Sequence, residues 1–140
     1  MRIDSKDARI IEELKKNSRA TVRDIAKKTR VRPSTVHQRI SKLKQDGVIE
    51  RFTVKLNNKA VGEDFIVFML VETKQDLPPS FFQNRHIKES FGITGEYDLL
   101  LKLKFRDVNE FNGFVIGLRK NRAIAKTITS VVTINLKEEL

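Results

Sequence analysis

The sequence has no cysteine at all, which excludes disulfides and thiolate metal sites from the outset. Its two histidines, His37 and His86, lie far apart in the chain, and no carboxylates or further imidazoles gather around either as a ligand set. No nucleophile–base pair and no glycine-rich phosphate loop can be assembled, so no catalytic residue, metal or cofactor is expected. Long hydrophobic runs are missing too. None approaches the ~18 residues needed to span a bilayer. The opening Met1–Asp7 lacks the apolar core of a signal peptide and is too acidic for a transit peptide, so a cytoplasmic protein without membrane contact is expected.

Negative charge is the other scarce commodity. The chain carries 28 Lys/Arg against 18 Asp/Glu, a net +10. Residues 1–63 hold 17 of the cations and only 8 of the anions, whereas residues 64–140 are close to neutral. Basic charge gathered in one half suggests a polyanion-binding module attached to something else. With 39% hydrophobic and 33% charged residues, both halves read as folded and globular.

The basic half reads as three short helices. Asp4 and Ser5 are N-cap types, and Asp7 stands where a capping-box acid reaches back. Ala8, Ile10, Ile11 and Leu14 recur at helical spacing, and Lys15-Lys16-Asn17 place cations and a C-cap type at the end, giving a helix over 5–16. Thr21 with Asp24 opens a second helix that ends near Lys28, with Val22, Ile25 and Ala26 as its apolar face. After the turn 29–32, Pro33 suits the first position of a third helix, which Gly47 stops. Val36, Ile40 and Leu43 form its buried stripe. Ser34, Gln38, Ser41 and Gln45 point the other way, flanked by Thr35 and Lys42 on one side and His37 on the other. Short polar side chains on that face can donate and accept at base edges in a major groove. A very short second helix, a four-residue turn and a basic surround make this a helix-turn-helix. The alternating stretch 48–56 predicts a strand, serving as a wing or as the connector.

The second half alternates differently. Residues 64–74 are β-branched and aromatic on both faces, as in a strand covered from both sides. Pro78-Pro79 predicts a helix through Lys88, and 91–94 a short strand turned by Gly95. Tyr97, Leu99, Leu101, Leu103 and Phe105 alternate as a third strand. Asp107 caps a helix bearing Phe111, Phe114, Val115 and Leu118, and 126–136 forms a last strand. The order β-α-β-β-α-β folds as a four-stranded antiparallel sheet with both helices on one face. The expected class is therefore α+β: a helix-turn-helix domain over 1–50, a linker strand over 51–63, and a ferredoxin-like domain over 64–140. The bare sheet face, with apolar residues on both sides of its first strand, predicts a homodimer or larger homo-oligomer.

Ile3-Asp4, Asp7, Ile10-Ile11, Arg19–Ala26, Pro33–Val36, Arg39-Ile40, Leu43 and Gly47–Ile49 together resemble the reader of the Lrp/AsnC (leucine-responsive) regulators. Residues 94–99 and 126–131 are similar to the two hallmark stretches of that family's sensor domain, so the resemblance spans essentially the whole chain. It implies a sequence-specific transcriptional regulator binding palindromic double-stranded DNA, with Arg32, Ser34, Thr35, His37, Gln38, Ser41 and Lys42 at the duplex. It also implies an amino-acid effector at sensor interfaces, lined by Gly95, Tyr97 and Asp98 with Thr129 and Ser130 nearby. Two positions depart from the family pattern. Arg32 stands where a capping serine is usual, and 121–125 lack the usual Pro-Gly-Val turn. An alternative is a small-molecule-sensing regulatory protein that works through protein partners, against which the charge of the first half argues.

Overall fold

A computed structural model describes residues 2–140, which divide into two compact units, one ending at Lys55 and the other beginning at Leu56. In the first, α1 (Ser5–Lys16), α2 (Val22–Thr29) and α3 (Pro33–Gln45) follow the capping signals closely. The Asp7 amide donates to the Asp4 carboxylate at 2.9 Å and the Asp4 amide returns to Asp7 at 3.2 Å, closing the capping box. Thr21 accepts from the Asp24 amide at 3.1 Å to start α2. Ile10, Ile25, Ala26, Val31 and Val36 form the core, with Leu14, Ala20, Val22 and Ile40 packed around them. Gly47 adopts φ +75° just beyond α3, the left-handed stop expected of it.

One residue between α2 and α3 is strained. Arg30 holds φ 58°, a left-handed conformation that crowds the Cβ of any L side chain. Arg30→Gly should therefore stabilise this unit by about 0.5–1 kcal/mol, read as a higher melting temperature. An unchanged or lower melting temperature would contradict this account of the turn.

The second unit is a sheet with one long helix. Its strands are β1 (Phe65–Thr73), β2 (Ile87–Gly92), β3 (Leu99–Phe105) and β4 (Ile124–Val131), and α4 (Val108–Arg119) lies between the last two in sequence. The spatial order is β2-β3-β1-β4, with every neighbouring pair antiparallel. Register puts Val67, Met69 and Val71 opposite Leu103, Leu101 and Leu99. These side chains, with Phe105, pack against Leu118, Phe111, Phe114 and Val115 of α4. Asp107 caps that helix by accepting from the Glu110 amide at 2.9 Å.

Several expectations are corrected. Residues 78–88 do not make a helix: only a 3-10 turn, Pro79–Gln83, forms there. Asn84 ends it, its side chain accepting from the His86 amide and its carbonyl from Ile87, which turns the chain into β2 four residues earlier than expected. One face therefore carries one long helix and a short turn, not two helices. The last strand covers 124–131, not 126–136, and leaves Ile134 and Leu136 exposed. The stretch 48–56 joins no ladder among the described residues. It is held instead by Lys44 on the Glu50 carbonyl and by Ser18 on the Thr53 carbonyl at 3.1 Å. Phe52, Val54 and Leu56 alternate as a strand would, yet all three are exposed, because no neighbouring strand offers them a ladder. Among the described residues no helix is long and apolar enough to cross a membrane.

Candidate functional site

The outward face of α3 is built by what holds its inner face. Val36 and Leu43 are buried, and Ser34, His37, Gln38, Ser41 and Lys42 are left exposed, with Thr35 half-buried. Arg32 occupies the N-cap position and makes no capping bond, so its guanidinium is exposed beside the helix start. Lys42 pairs with Asp46 at 3.0 Å, one turn on along the surface. Arg39 lies on the flank of the apolar stripe and ties α3 to the start of α1. It bonds the Asp4 carboxylate and approaches Asp7 at 3.3 Å. Asp7 is itself buried, so this contact fixes the pitch of α3 against α1. Arg9 adds a second brace by donating to the last carbonyl of α2, Thr29, at 2.9 Å. Thus all seven expected DNA-facing residues lie at one end or along one side of a helix anchored from behind.

The Asp7 amide, and after it the Arg39 guanidinium, hold the Asp4 carboxyl down at about 2. Because this lies below the ordinary value of 3.8, the stabilising contribution is complete above about pH 4 and is lost as pH falls through about 2. Acid titration of helix content should therefore show a limb in that window which moves in Asp4→Asn. Coincident limbs would show the pairing to be unimportant.

At the other unit, the expected sensor residues fall into two groups. Gly95, at φ +112°, makes the turn between β2 and β3. Asp98 closes that turn onto β1, accepting from the Thr73 amide at 2.7 Å and from the Thr73 hydroxyl. These bonds, the hydroxyl's first, pull its pKa below the usual carboxylate range. Tyr97 is half-buried beneath the Lys126 ammonium, 5.3 Å from its ring centroid. Lys126 also bonds Glu96 and lies 3.6 Å from Glu72. Thr129 and Ser130 lie farther along β4, opposite Met69 and Phe68, so they point to opposite faces of the sheet. The turn brings Gly95, Tyr97 and Asp98 together; Thr129 and Ser130 are not part of that cluster. Among the described residues no group of three or more His, Asp or Glu could hold a metal ion.

A family profile described as Winged helix-turn-helix DNA-binding matches residues 3–50, and one described as Lrp/AsnC ligand binding domain matches residues 66–140. The chain belongs to the Lrp/AsnC family. It is 34% identical to an uncharacterized HTH-type transcriptional regulator of Pyrococcus horikoshii, over 99% of this chain and 97% of that one. The HTH-type transcriptional regulator FL11 of Pyrococcus abyssi is 32% identical over 97% of this chain and 93% of its own. Among solved structures, E. coli AsnC superimposes with TM-score 0.88 at 27% identity, covering 100% of this chain and 98% of that chain. A transcriptional regulator from Neisseria meningitidis in complex with L-Met shares the fold, with TM-score 0.91 at 23% identity over 99% and 94% of the two chains.

This Lrp/AsnC regulator is thus a DNA-binding transcriptional regulator with a ligand-binding domain. Sequence reasoning on its surface face overlooked the residues behind that face. Arg39 entered only as part of a family pattern, and Arg9 not at all. A signal existed for the first: a lone arginine beside Ile40 on the flank of an apolar stripe must bring a carboxylate with it, and Asp4 and Asp7 are spaced to supply one. Thr73 as the partner of Asp98 had no such signal, because the two lie 25 residues apart and meet only through sheet register.

Proposed function

We propose that this Lrp/AsnC regulator binds a two-fold symmetric operator as a homodimer or larger homo-oligomer, with α3 in the major groove. The carrying observation is the row Ser34, Gln38 and Ser41, exposed on a helix that Arg39 fixes from behind, in a unit with sixteen Lys/Arg against seven Asp/Glu. Gln38 is the base reader in this arrangement, since its amide can bond adenine in a bidentate manner. Ser34, Thr35, His37 and Ser41 contact base edges or sugar, and Arg32 and Lys42 contact phosphate. Two readers related by a two-fold axis address half-sites about one helical turn apart, ~34 Å, or a multiple of it.

Pairing runs through the sheet face that bears no helix. Residues directly opposite one another share a face, which groups Phe68, Leu70, Leu100, Ile128 and Phe91 there. Phe68, Phe91 and Ile128 are exposed, an apolar ridge of the kind that marks an interface. An amino acid is the effector in this reading. The L-Met bound to the Neisseria neighbour supports that class of ligand. In this reading Gly95 and Tyr97 meet it at the β2–β3 turn, Asp98 shapes the turn through Thr73, and Thr129 and Ser130 lie farther along β4, one on each face of the sheet.

Selecting bound duplexes from a random pool, with and without a mixture of amino acids, tests site, symmetry and ligand dependence together. A symmetric consensus with ~34 Å half-site spacing is expected, and enrichment of no sequence would overturn the reading. Gln38→Ala should relax preference at one base position by about 1–3 kcal/mol. Equal loss on every sequence would make Gln38 a backbone contact instead.

A further inference from the structure

The apolar ridge on the open sheet face is interrupted by two cations. Lys102 stands opposite Phe68 and Lys104 opposite Ile66, and both side chains are largely covered, 14% and 12% exposed. An ammonium drawn out of water on a face destined to be covered is costly unless it is paired. The pairing group comes from the far end of the chain. Glu138, only 12% exposed, reaches both lysines, with its carboxylate 2.9 Å from Lys104. Asn58 closes the network, donating to Glu138 at 2.8 Å and accepting from Lys104 at 2.7 Å. Asn135 adds a bond from the tail itself at 3.3 Å.

Little else explains why the tail lies there. After the Val132 amide bonds the Ile66 carbonyl, the segment makes no ladder, and Ile134, Leu136 and Leu140 are exposed. We propose that the C-terminal tail is an assembly determinant: Glu138, together with Glu89 at 3.4 Å from Lys102, balances the charge of Lys102 and Lys104 so that a second copy of this chain can cover the open sheet face. The inference rests on the sheet-face dimer of the preceding section and adds the residue that permits it.

Charge complementarity selects the occupant. An acidic partner would be drawn by free lysines, but here both are already spent on the chain's own carboxylates, Glu138 and Glu89. A second copy brings the same two lysines to the same face. Two-fold pairing would set like charges near one another unless each copy cancelled its own. The remaining cation near the ridge, Lys126, is likewise engaged by Glu96 and Glu72. With the tail seated, the cations of the face are paired, and Phe68, Phe91 and Ile128 are its exposed apolar surface.

Sedimentation equilibrium on the full chain tests this. The wild type should run at twice the 16.2 kDa of one chain, or at a multiple of that dimer. Glu138→Gln should raise the dimer dissociation constant at least about tenfold while circular dichroism stays unchanged, since it leaves covered Lys104 with no carboxylate partner among the described residues and Lys102 with Glu89 alone. Adding Lys102→Met, Lys104→Met and Glu89→Gln to Glu138→Gln should restore the wild-type constant to within about threefold, because none of the four charges of the network then remains to be neutralised. A Glu138→Gln dimer as tight as wild type overturns the inference and leaves the sheet-face dimer standing. Failure of these replacements to rescue shows that the tail acts by contact and not by charge, which also overturns it. A wild type that stays monomeric sinks the dimer, and the inference with it.

Discussion

Phe105→Ala should cost the sheet-bearing unit about 3–5 kcal/mol, the usual consequence of emptying a fully buried aromatic site. Phe105 ends β3 with no exposed surface. Its ring meets His86 at 4.6 Å, Phe111 at 5.4 Å and Phe114 at 5.5 Å between centroids, joining the edge of the sheet to α4. Removing it leaves a cavity between a strand and the one long helix covering this face, where backbone collapse is opposed on both sides. Because the chain forms two compact units, the loss should appear as one calorimetric transition moved down while the reader's is little changed. Phe68→Ala provides the contrast. Phe68 sits on the same sheet but faces the open side at 38% exposure, so its truncation should weaken self-association more than folding. Equal effects of the two substitutions on the melting of a dilute sample would contradict the assignment of faces.

That contrast also marks what can be read from sequence. Local chemistry was legible wherever a cap or a period decided the outcome: Asp4 with Asp7, Thr21 with Asp24, Pro33, Gly47 and Asp107 all mark helix ends where the structure has them. The alternation from Leu99 to Phe105 fixed the central strand for the same reason, since its odd members must all point to α4. Errors arose where a partner from elsewhere in the chain decides. Phe52, Val54 and Leu56 have a strand's period but no neighbouring strand, and period alone does not reveal that. Pro78-Pro79 is a helix-start signal, yet Asn84 and the demand of β3 for an edge partner end the turn after five residues. In place of the family's turn before β4, Asn121 accepts from the Ala123 amide at 2.9 Å and its carbonyl from Ile124 at 3.2 Å, which rebuilds the connection with different residues. On the candidate site, the outward face of α3 was readable from a helical wheel. The anchors behind it were not, because Arg39 to Asp4 and Asp98 to Thr73 are bonds between elements.

Operator binding should fall about 10³–10⁵-fold between 50 and 200 mM salt, the loss expected when a pair of readers makes six to ten phosphate contacts. The reader's charge is arranged for this. Arg39 is spent on Asp4 and Asp7, Lys15 on Glu12, and Lys16 on Glu13. Arg23, Lys27 and Arg32, by contrast, are exposed and make no ion pair among the described residues. Each such cation that meets a phosphate releases about one counterion, so the slope of log affinity against log salt counts them. Arg32→Gln, present twice in a two-fold dimer, should flatten that slope by about two while leaving base preference unchanged, because a phosphate contact carries no sequence information. Gln38→Ala should do the reverse, altering preference at one position with the slope intact. If Arg32→Gln instead changes which bases are selected, its guanidinium reads a base edge from the start of α3, and the division of labour between helix start and helix face must be redrawn. A salt slope near zero for the wild type would remove the electrostatic basis of the duplex contact altogether.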